Sequence, residues 1–394
     1  LLLKEPEEAL RKEAWEATRA VGRKVADRVR ALVKMRNEAA RALGFADHFA
    51  LALDEEEMDP GVLEGLLSEL QTLSEGPWRA RKATLDQELA TLRGKDASAL
   101  MPWDYTDRFL QSVPRAADGG ALDWHFGPQA IGRNARRFYA GIGLPIDALW
   151  EASDMMPRDG KYPHAFCIGI DNPRDVRVLC NLDATARWME TTLHEFGHAV
   201  YNAGIEPGLP LLLREAAHTF VTEAVAMFFG RLARSPGWLQ QVAKVPRELA
   251  EDAGEQLAEN QVVFARWALV VTRFEQAMYR DPDADLDALW WGFVEELQGL
   301  QRPAAWAGGD WASKVHVACY PAYYQNYLLG ELLASQFGAA LRARGLGDVV
   351  DRPEVGAFFA DLFRLGQSLP WQEAVSRSTG SPLTAAHWAR EFTP

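Results

Sequence analysis

Apolar residues recur along most of this chain at helical rather than strand spacing, in long segments rich in alanine, leucine, glutamate and arginine. From Glu8 to Leu43, the residues Trp15, Val21, Val25, Val29, Leu32 and Val33 share one face, which predicts a long helix or a broken pair. Met58-Asp59-Pro60 opens a second helix towards Leu92, with an interruption expected near Gly76-Pro77 and a stop over Gly94 to Ser98. Pro114 to Pro128, containing Asp118-Gly119-Gly120, reads as loop, and Gln129 to Ala140 returns to helix. Further helices are predicted at about Leu211 to Ala233, Arg247 to Tyr279, Asp285 to Leu300, Tyr320 to Arg344 and Val355 to Leu365.

One region breaks this pattern. His164 to Ile170 and Val176 to Cys180, joined by Asp171-Asn172-Pro173, read as a hairpin. An edge strand in that position can hold an extended peptide by backbone pairing. No internal repeat or low-complexity segment interrupts the chain.

Composition changes this picture only in part. With 394 residues and 48% hydrophobic content the chain can bury a sizeable core, and its length allows two or three domains. A net charge of −13 argues against nucleic acid or an anionic membrane surface as partner. Cys167, Cys180 and Cys319 form neither a zinc spacing nor a disulfide framework, and no apolar run is long enough to span a membrane, so a cytoplasmic setting is expected. The sequence begins Leu1-Leu2-Leu3-Lys4 without a methionine, which leaves room for an upstream signal or domain.

The chemistry is concentrated in Leu193-His194-Glu195-Phe196-Gly197-His198. On a helix, positions i and i+4 lie on one face, so His194 and His198 can bind one ion while Glu195 polarises a water. Trp188, Met189, Thr192, Leu193 and Phe196 make this helix apolar enough to be buried, and buried histidines need partners. The pattern points to metal-assisted peptide hydrolysis by one Zn2+ ion.

A catalytic zinc takes three protein ligands and keeps one position open. Glu223 lies in Thr222-Glu223-Ala224-Val225-Ala226-Met227-Phe228-Phe229, surroundings too apolar for an unpaired carboxylate. Glu215, beside Arg214 and expected in the first turn of the downstream helix, is favoured there by the helix dipole without any metal. Glu223 is therefore preferred as third ligand, with Glu215, Glu206 and His218 as the other candidate donors.

Leu193 to Val200 with Glu223-Ala224 resembles the zinc peptidases related to angiotensin-converting enzyme and, more distantly, thimet oligopeptidase. Arg174 to Cys180 is similar to the strand that precedes the zinc helix in the converting-enzyme group. Trp290-Trp291, Gln298-Gly299, Asp310, Lys314 and His316 follow that group's pattern in order, and Tyr324-Gln325-Asn326-Tyr327 resembles its Tyr-x-x-Tyr pair. Tyr320 to Ser335 also looks like the oligopeptidases, while Pro370-Trp371 and Thr379-Gly380 carry the likeness almost to the C-terminus.

The resemblance implies a mainly α fold, a single catalytic domain over 1–394 with two helical lobes around a deep substrate cleft and a small antiparallel sheet at the cleft wall. It implies that His194, His198 and Glu223 bind zinc and that Glu195 is the general base. His316 and Tyr327 would stabilise the oxyanion, Lys314 and Tyr324 would grip the substrate's C-terminal carboxylate, and His164 and Ala165 would hold the peptide backbone. Tyrosine and imidazole are suitable oxyanion donors, and a leaving carboxylate needs a cation such as Lys314.

Some positions depart from the family pattern. Met227 stands where an acidic residue orienting a zinc histidine is expected, so that support must come from elsewhere. Asn326 replaces an arginine linked to chloride activation in the animal enzymes, and no chloride site is expected there. Pro163 takes the place of a cysteine that pairs with the counterpart of Cys180, and the His198 to Glu223 gap is about one residue longer than usual. The family also carries more helical chain upstream, helping to roof the cleft, so the sequence is expected to be a fragment or a cleaved piece whose own upstream segment can be a partner.

These features predict a zinc peptidase acting on short peptides and releasing C-terminal dipeptides, with Lys314 as the basis for that product. An endo-acting oligopeptidase of thimet type is the alternative with the same chemistry. An inactive peptide-binding protein that retains the fold is the alternative from another class.

Overall fold

The computed structural model describes residues 2, 5–105, 107–113, 120–304, 306 and 308–393, so residues 114–119 of the expected loop lie outside the described residues. The first helices are α1 (Glu8–Ala42), α2 (His48–Glu55), α3 (Pro60–Arg93), α4 (Pro128–Gly141) and α5 (Asp147–Glu151). Strands β1 (Phe166–Asp171) and β2 (Asp175–Leu179) follow, then α6 (Ala186–Ala203), α7 (Thr219–Arg231), α8 (Pro236–Gln241), α9 (Arg247–Arg280) and α10 (Leu286–Gln298). The chain continues through α11 (Val315–Cys319), α12 (Tyr324–Ala343), α13 (Pro353–Phe363), α14 (Trp371–Thr379) and α15 (Ala386–Phe392). The fold is mainly α with one small antiparallel sheet.

Helix α1 is a single unbroken rod, and its buried face is in part the one expected, through Trp15, Val29 and Val33. Val21 and Leu32 are exposed, while Arg11, Trp15, Arg19, Val29, Val33 and Asn37 are buried. Two carboxylates explain the buried arginines: Arg11 Nη2 donates to Asp104 at 2.8 Å and Arg19 Nη1 to Asp310 at 2.7 Å. Buried charges persist where they are paired, and hydropathy cannot report a partner so distant in sequence.

Helix α3 runs through Pro77 without the expected interruption. Proline removes one hydrogen bond, the one to the carbonyl four residues back, and Leu73 at that position is partly exposed to water. Leu66, Leu67, Leu70, Ser74, Trp78 and Leu85 continue the buried stripe on both sides. Arg266 reinforces it by donating to the Gln71 carbonyl and the Ser74 hydroxyl. Gly94, left-handed at φ 64°, caps the end as its position predicts.

The chain forms two compact units: one comprises 1–116, 259–328 and 392–394, the other 117–258 and 329–391. The divisions fall inside α9 and α12. The first unit is centred on aromatic residues, with Phe109 stacked on Trp267 at 5.0 Å and Trp290 edge-on to both. In the second, α6 packs along α7 and carries the hairpin.

The hairpin pairs Phe166 with Leu179, Cys167 with Val178 and Gly169 with Val176. Its inner face carries Val176 and Val178, both buried, whereas Phe166, Ile168 and Ile170 are exposed on the outer face. His164 and Ala165 precede the strand rather than belonging to it. Lys161 fixes the base, its Nζ donating to Asp154 Oδ1 at 3.0 Å, to the Met156 carbonyl at 2.8 Å and to the Cys180 carbonyl. Among the described residues, no helix is long and apolar enough to cross a membrane.

Candidate active site

Helix α6 starts where Thr185 caps it, its hydroxyl accepting from the Trp188 amide at 3.3 Å. Phe196 stacks on Trp150 at 5.3 Å, and the Tyr139 hydroxyl donates to the Leu193 carbonyl at 2.6 Å, which fixes the helix's rotation on its bed. With the apolar side held, His194 and His198 share a face, their rings 4.9 Å apart and nearly perpendicular.

Helix α7 begins at Thr219, not near Leu211. The His218 ring accepts the Phe220 amide at 3.0 Å and so defines the start, and Leu211–Leu213 forms only a short 3-10 turn. Glu215 therefore lies in a loop, within 3.5 Å of the Asn172 amide, and its expected place in a first helical turn is not observed. His218 is spent on the cap. Neither belongs to the group of donors that could hold a metal ion.

That group is His194, His198 and Glu223. Glu223 Oε2 lies 3.6 Å from His194 Nε2 and 3.7 Å from His198 Nε2. Two ligands about 2.1 Å from one zinc at a tetrahedral angle sit roughly 3.4 Å apart, so both imidazole–carboxylate spacings are close to what such an ion takes, and all three donors lie within 4.8 Å of one another. Two imidazoles and a carboxylate are also the donor types zinc takes in an open three-ligand site.

Burial sets the protonation of these groups. It pushes His194 down to about 4 and His198 well below its ordinary value, with His194 adding to the effect, so both rings are neutral and able to ligate. Burial also pushes the Glu195 carboxyl up to about 8, and the Glu223 charge adds to this. A bound cation acts in the opposite direction, favouring the carboxylate that a general base must be.

Two glycines let the helices approach this closely. A Cβ at Gly197 would lie 2.7 Å from the Ala226 Cα on α7, and one at Gly330 on α12 would lie 3.2 Å from the Glu223 Cβ. Helix α7 is thus held between two surfaces without side chains at the contact. Neither glycine carries a local sequence signal for this contact.

The remaining predicted residues fall into two places. His164 and Ala165 lie in the same unit as the metal group, leading into β1, whose Cys167 packs over Asn202 of α6 with Sγ 3.8 Å from Nδ2. His164 is exposed and Ala165 half-buried.

Lys314, His316, Tyr324 and Tyr327 lie in the other unit, where they form a cluster of their own. The His316 ring is 5.2 Å from Tyr324 and 5.9 Å from Tyr327. Lys314 Nζ lies 5.0 Å from the Tyr324 ring centre and 5.3 Å from that of Trp267. Tyr324 is buried, its hydroxyl accepting from Trp267 Nε1 at 2.6 Å.

Lys314 is 8% exposed, and among the described residues no carboxylate pairs with it. Burial pushes its ammonium down to about 8, and Arg108 adds to this. Asp107 acts on it only at a distance, and a buried cation over two aromatic faces that no carboxylate contacts is suited to an anionic ligand. Burial likewise pushes His316 down to about 4.

Two residues of this arrangement were not foreseen. Gln111 accepts from Lys314 Nζ at 3.2 Å, and its segment is held by Gln298, which donates to the Phe109 and Leu110 carbonyls at 3.1 and 2.8 Å. A lone glutamine in a loop carries no local signal. Thr222 Oγ1 lies 2.8 Å from His198 Nδ1, in the position of support that Met227 cannot supply. Its place beside Glu223 was the available clue. The Asn326 amide donates to both oxygens of Glu56, at 3.3 and 3.0 Å.

A family profile described as angiotensin-converting enzyme matches residues 111–393. The chain is similar to angiotensin-converting enzyme of Sus scrofa, 25% identical over 95% of this chain and 31% of that protein. It is equally similar, at 25%, to the angiotensin-converting enzyme-like protein Ace3 of Mus musculus, over 97% of this chain and 57% of the relative. With angiotensin-converting enzyme of Theromyzon tessulatum it shares 24% identity over 63% of this chain and 43% of the relative. The chain thus spans about a third to just over half the length of these curated relatives.

Proposed function

This chain belongs to the angiotensin-converting enzyme family, and from that membership and the site geometry we propose that it is a zinc-dependent peptidase that releases dipeptides from the C-termini of short peptides. The observation that carries the reading is the convergence of His194, His198 and Glu223, with Glu223 Oε2 3.6 and 3.7 Å from the two Nε2 atoms, close to the spacing of ligands on a tetrahedral ion, and the buried Glu195 carboxyl next to His194 in the chain.

His194, His198 and Glu223 would hold the zinc. Bound there, the metal supplies Lewis acidity towards the scissile carbonyl and makes a water easier to deprotonate. Glu195 accepts the proton of that water and later delivers it to the leaving amine, for which a carboxylate close to neutral titration is suited. His316 and Tyr327 are assigned to the oxyanion, because an imidazole and a phenol can both donate to its developing charge. His164 and Ala165 hold the peptide backbone as an added strand. Lys314, with Gln111 and Tyr324, receives the terminal carboxylate, and its lack of a carboxylate partner supports that role.

The test is zinc analysis together with cleavage of a short peptide offered as free acid and as C-terminal amide. One zinc per chain and release of a dipeptide from the free acid alone are expected. Equal cleavage of the amide would replace the dipeptidase with an endo-acting oligopeptidase, and zinc binding without any cleavage would leave a peptide-binding protein. Glu195→Gln should keep the zinc and lose turnover.

A further inference from the structure

We propose that Thr222 is a positioning residue that fixes His198 in the tautomer able to bind metal, replacing the acidic residue that Met227 displaces. This deepens the zinc-peptidase reading and depends on it. The support is geometric: His198 Nδ1 lies 2.8 Å from Thr222 Oγ1, while Nε2 on the far side of the ring faces Glu223 Oε2.

A neutral imidazole carries one proton on two nitrogens. Ligation uses the lone pair of Nε2, so the proton must sit on Nδ1, and the Thr222 oxygen is there to accept it. The reverse arrangement, with the hydroxyl donating to Nδ1, would place the proton on Nε2 and block the metal. Each geometry is consistent with a 2.8 Å contact; only the first is consistent with zinc.

Thr222 is well placed for this work. It is helical and β-branched, which restricts its χ1, and a helical threonine can pass its own proton to a carbonyl one turn back. It directly precedes Glu223, so one turn of α7 supplies both the third ligand and the partner of the second. Rotation of that turn would move the two together.

Met227 cannot substitute. Its thioether is a weak acceptor, and it packs against α12, where a Cβ added at Gly330 would lie 2.9 Å from its sulfur. The consequence is a site oriented by a neutral hydroxyl. Partners that orient ligating histidines are worth about 10- to 100-fold in metal affinity.

Zinc affinity measured by competition with a chromophoric chelator tests this on the full chain, alongside Thr222→Val and Thr222→Ser. Thr222→Val should weaken zinc by about 10- to 100-fold, and Thr222→Ser, which keeps the acceptor, should stay within about threefold of the parent. In the zinc-loaded parent, nitrogen-edited NMR should show a His198 Nδ1–H proton protected from exchange with water. An unprotected proton there, or a Thr222→Val protein that binds zinc as tightly as the parent, overturns the proposal while the zinc peptidase stands. A parent chain that binds no zinc overturns the peptidase reading itself, before any variant is compared.

Discussion

Gly197 and Ala226 face each other across α6 and α7 with no room for one more carbon: a Cβ on the glycine would stand 2.7 Å from the alanine Cα. The metal group is assembled across the same contact, since Gly197 immediately precedes His198 and Ala226 lies one turn beyond Glu223. Gly197→Ala should therefore separate the helices and carry Glu223 away from the imidazoles. Overpacking of this kind costs about 1–3 kcal/mol, which denaturant unfolding would register. Zinc affinity should fall as well; an alanine variant with parental stability and parental zinc binding would show that the contact has no bearing on the site.

Lys314→Ala should raise KM for free-acid peptides far more than for amides. Loss of one partner from a buried charge pair costs about 2 kcal/mol or more, so roughly a thirtyfold rise is expected for the acids. Lys314→Met, which keeps the apolar stem, separates loss of charge from loss of packing. Steady-state kinetics on paired substrates decides the matter, and an equal rise for acid and amide would contradict the assignment.

The same lysine gives a pH dependence. Burial places its pKa at about 8 in the free protein, so it is charged below that value and neutral above. The free-acid kcat/KM should fall as pH rises through about 8, whereas the ratio of Lys314→Met to parent for amide substrates should stay flat over the same range. A free-acid preference that persists unchanged to pH 10 would remove the ammonium from substrate recognition.

Glu275 is a buried carboxyl on α9 whose Oε1 accepts the Ala322 amide at 3.1 Å, and burial pushes it up to about 8. In the unfolded chain it ionises near 4.5, so between those values the unfolded state holds fewer protons and stability falls as pH rises. At about 1.4 kcal/mol per unit, the loss from pH 5 to pH 8 amounts to a few kcal/mol. Glu275→Gln keeps an acceptor for Ala322 and removes the titration. Its unfolding free energy should vary less with pH than that of the parent over this window, and identical pH profiles would refute the account.

Short-range chemistry was legible in the sequence. His194 and His198 announce their pairing by spacing alone, and Glu223 stands out as a lone acid in an apolar run. What eluded reading depends on distant partners. The buried face of α1 is chosen by Asp104 and Asp310, Pro77 is tolerated because packing continues on either side, and α7 starts late because His218 caps it. Gln111 becomes meaningful only once Gln298 holds its loop against Lys314.

The Arg19 to Asp310 pair joins positions 291 apart. During synthesis, α1 emerges with an arginine that water suits better than a core, and its carboxylate arrives only after nearly all of the intervening chain. At about 5–20 residues per second, that is roughly 15 to 60 seconds in which Arg19 is without its carboxylate. The Arg19 turn of α1 thus waits for the segment that bears Lys314 and His316, while Arg11 has its partner Asp104 far earlier, and a nascent chain arrested before residue 310 should leave the Arg19 turn open to proteolysis.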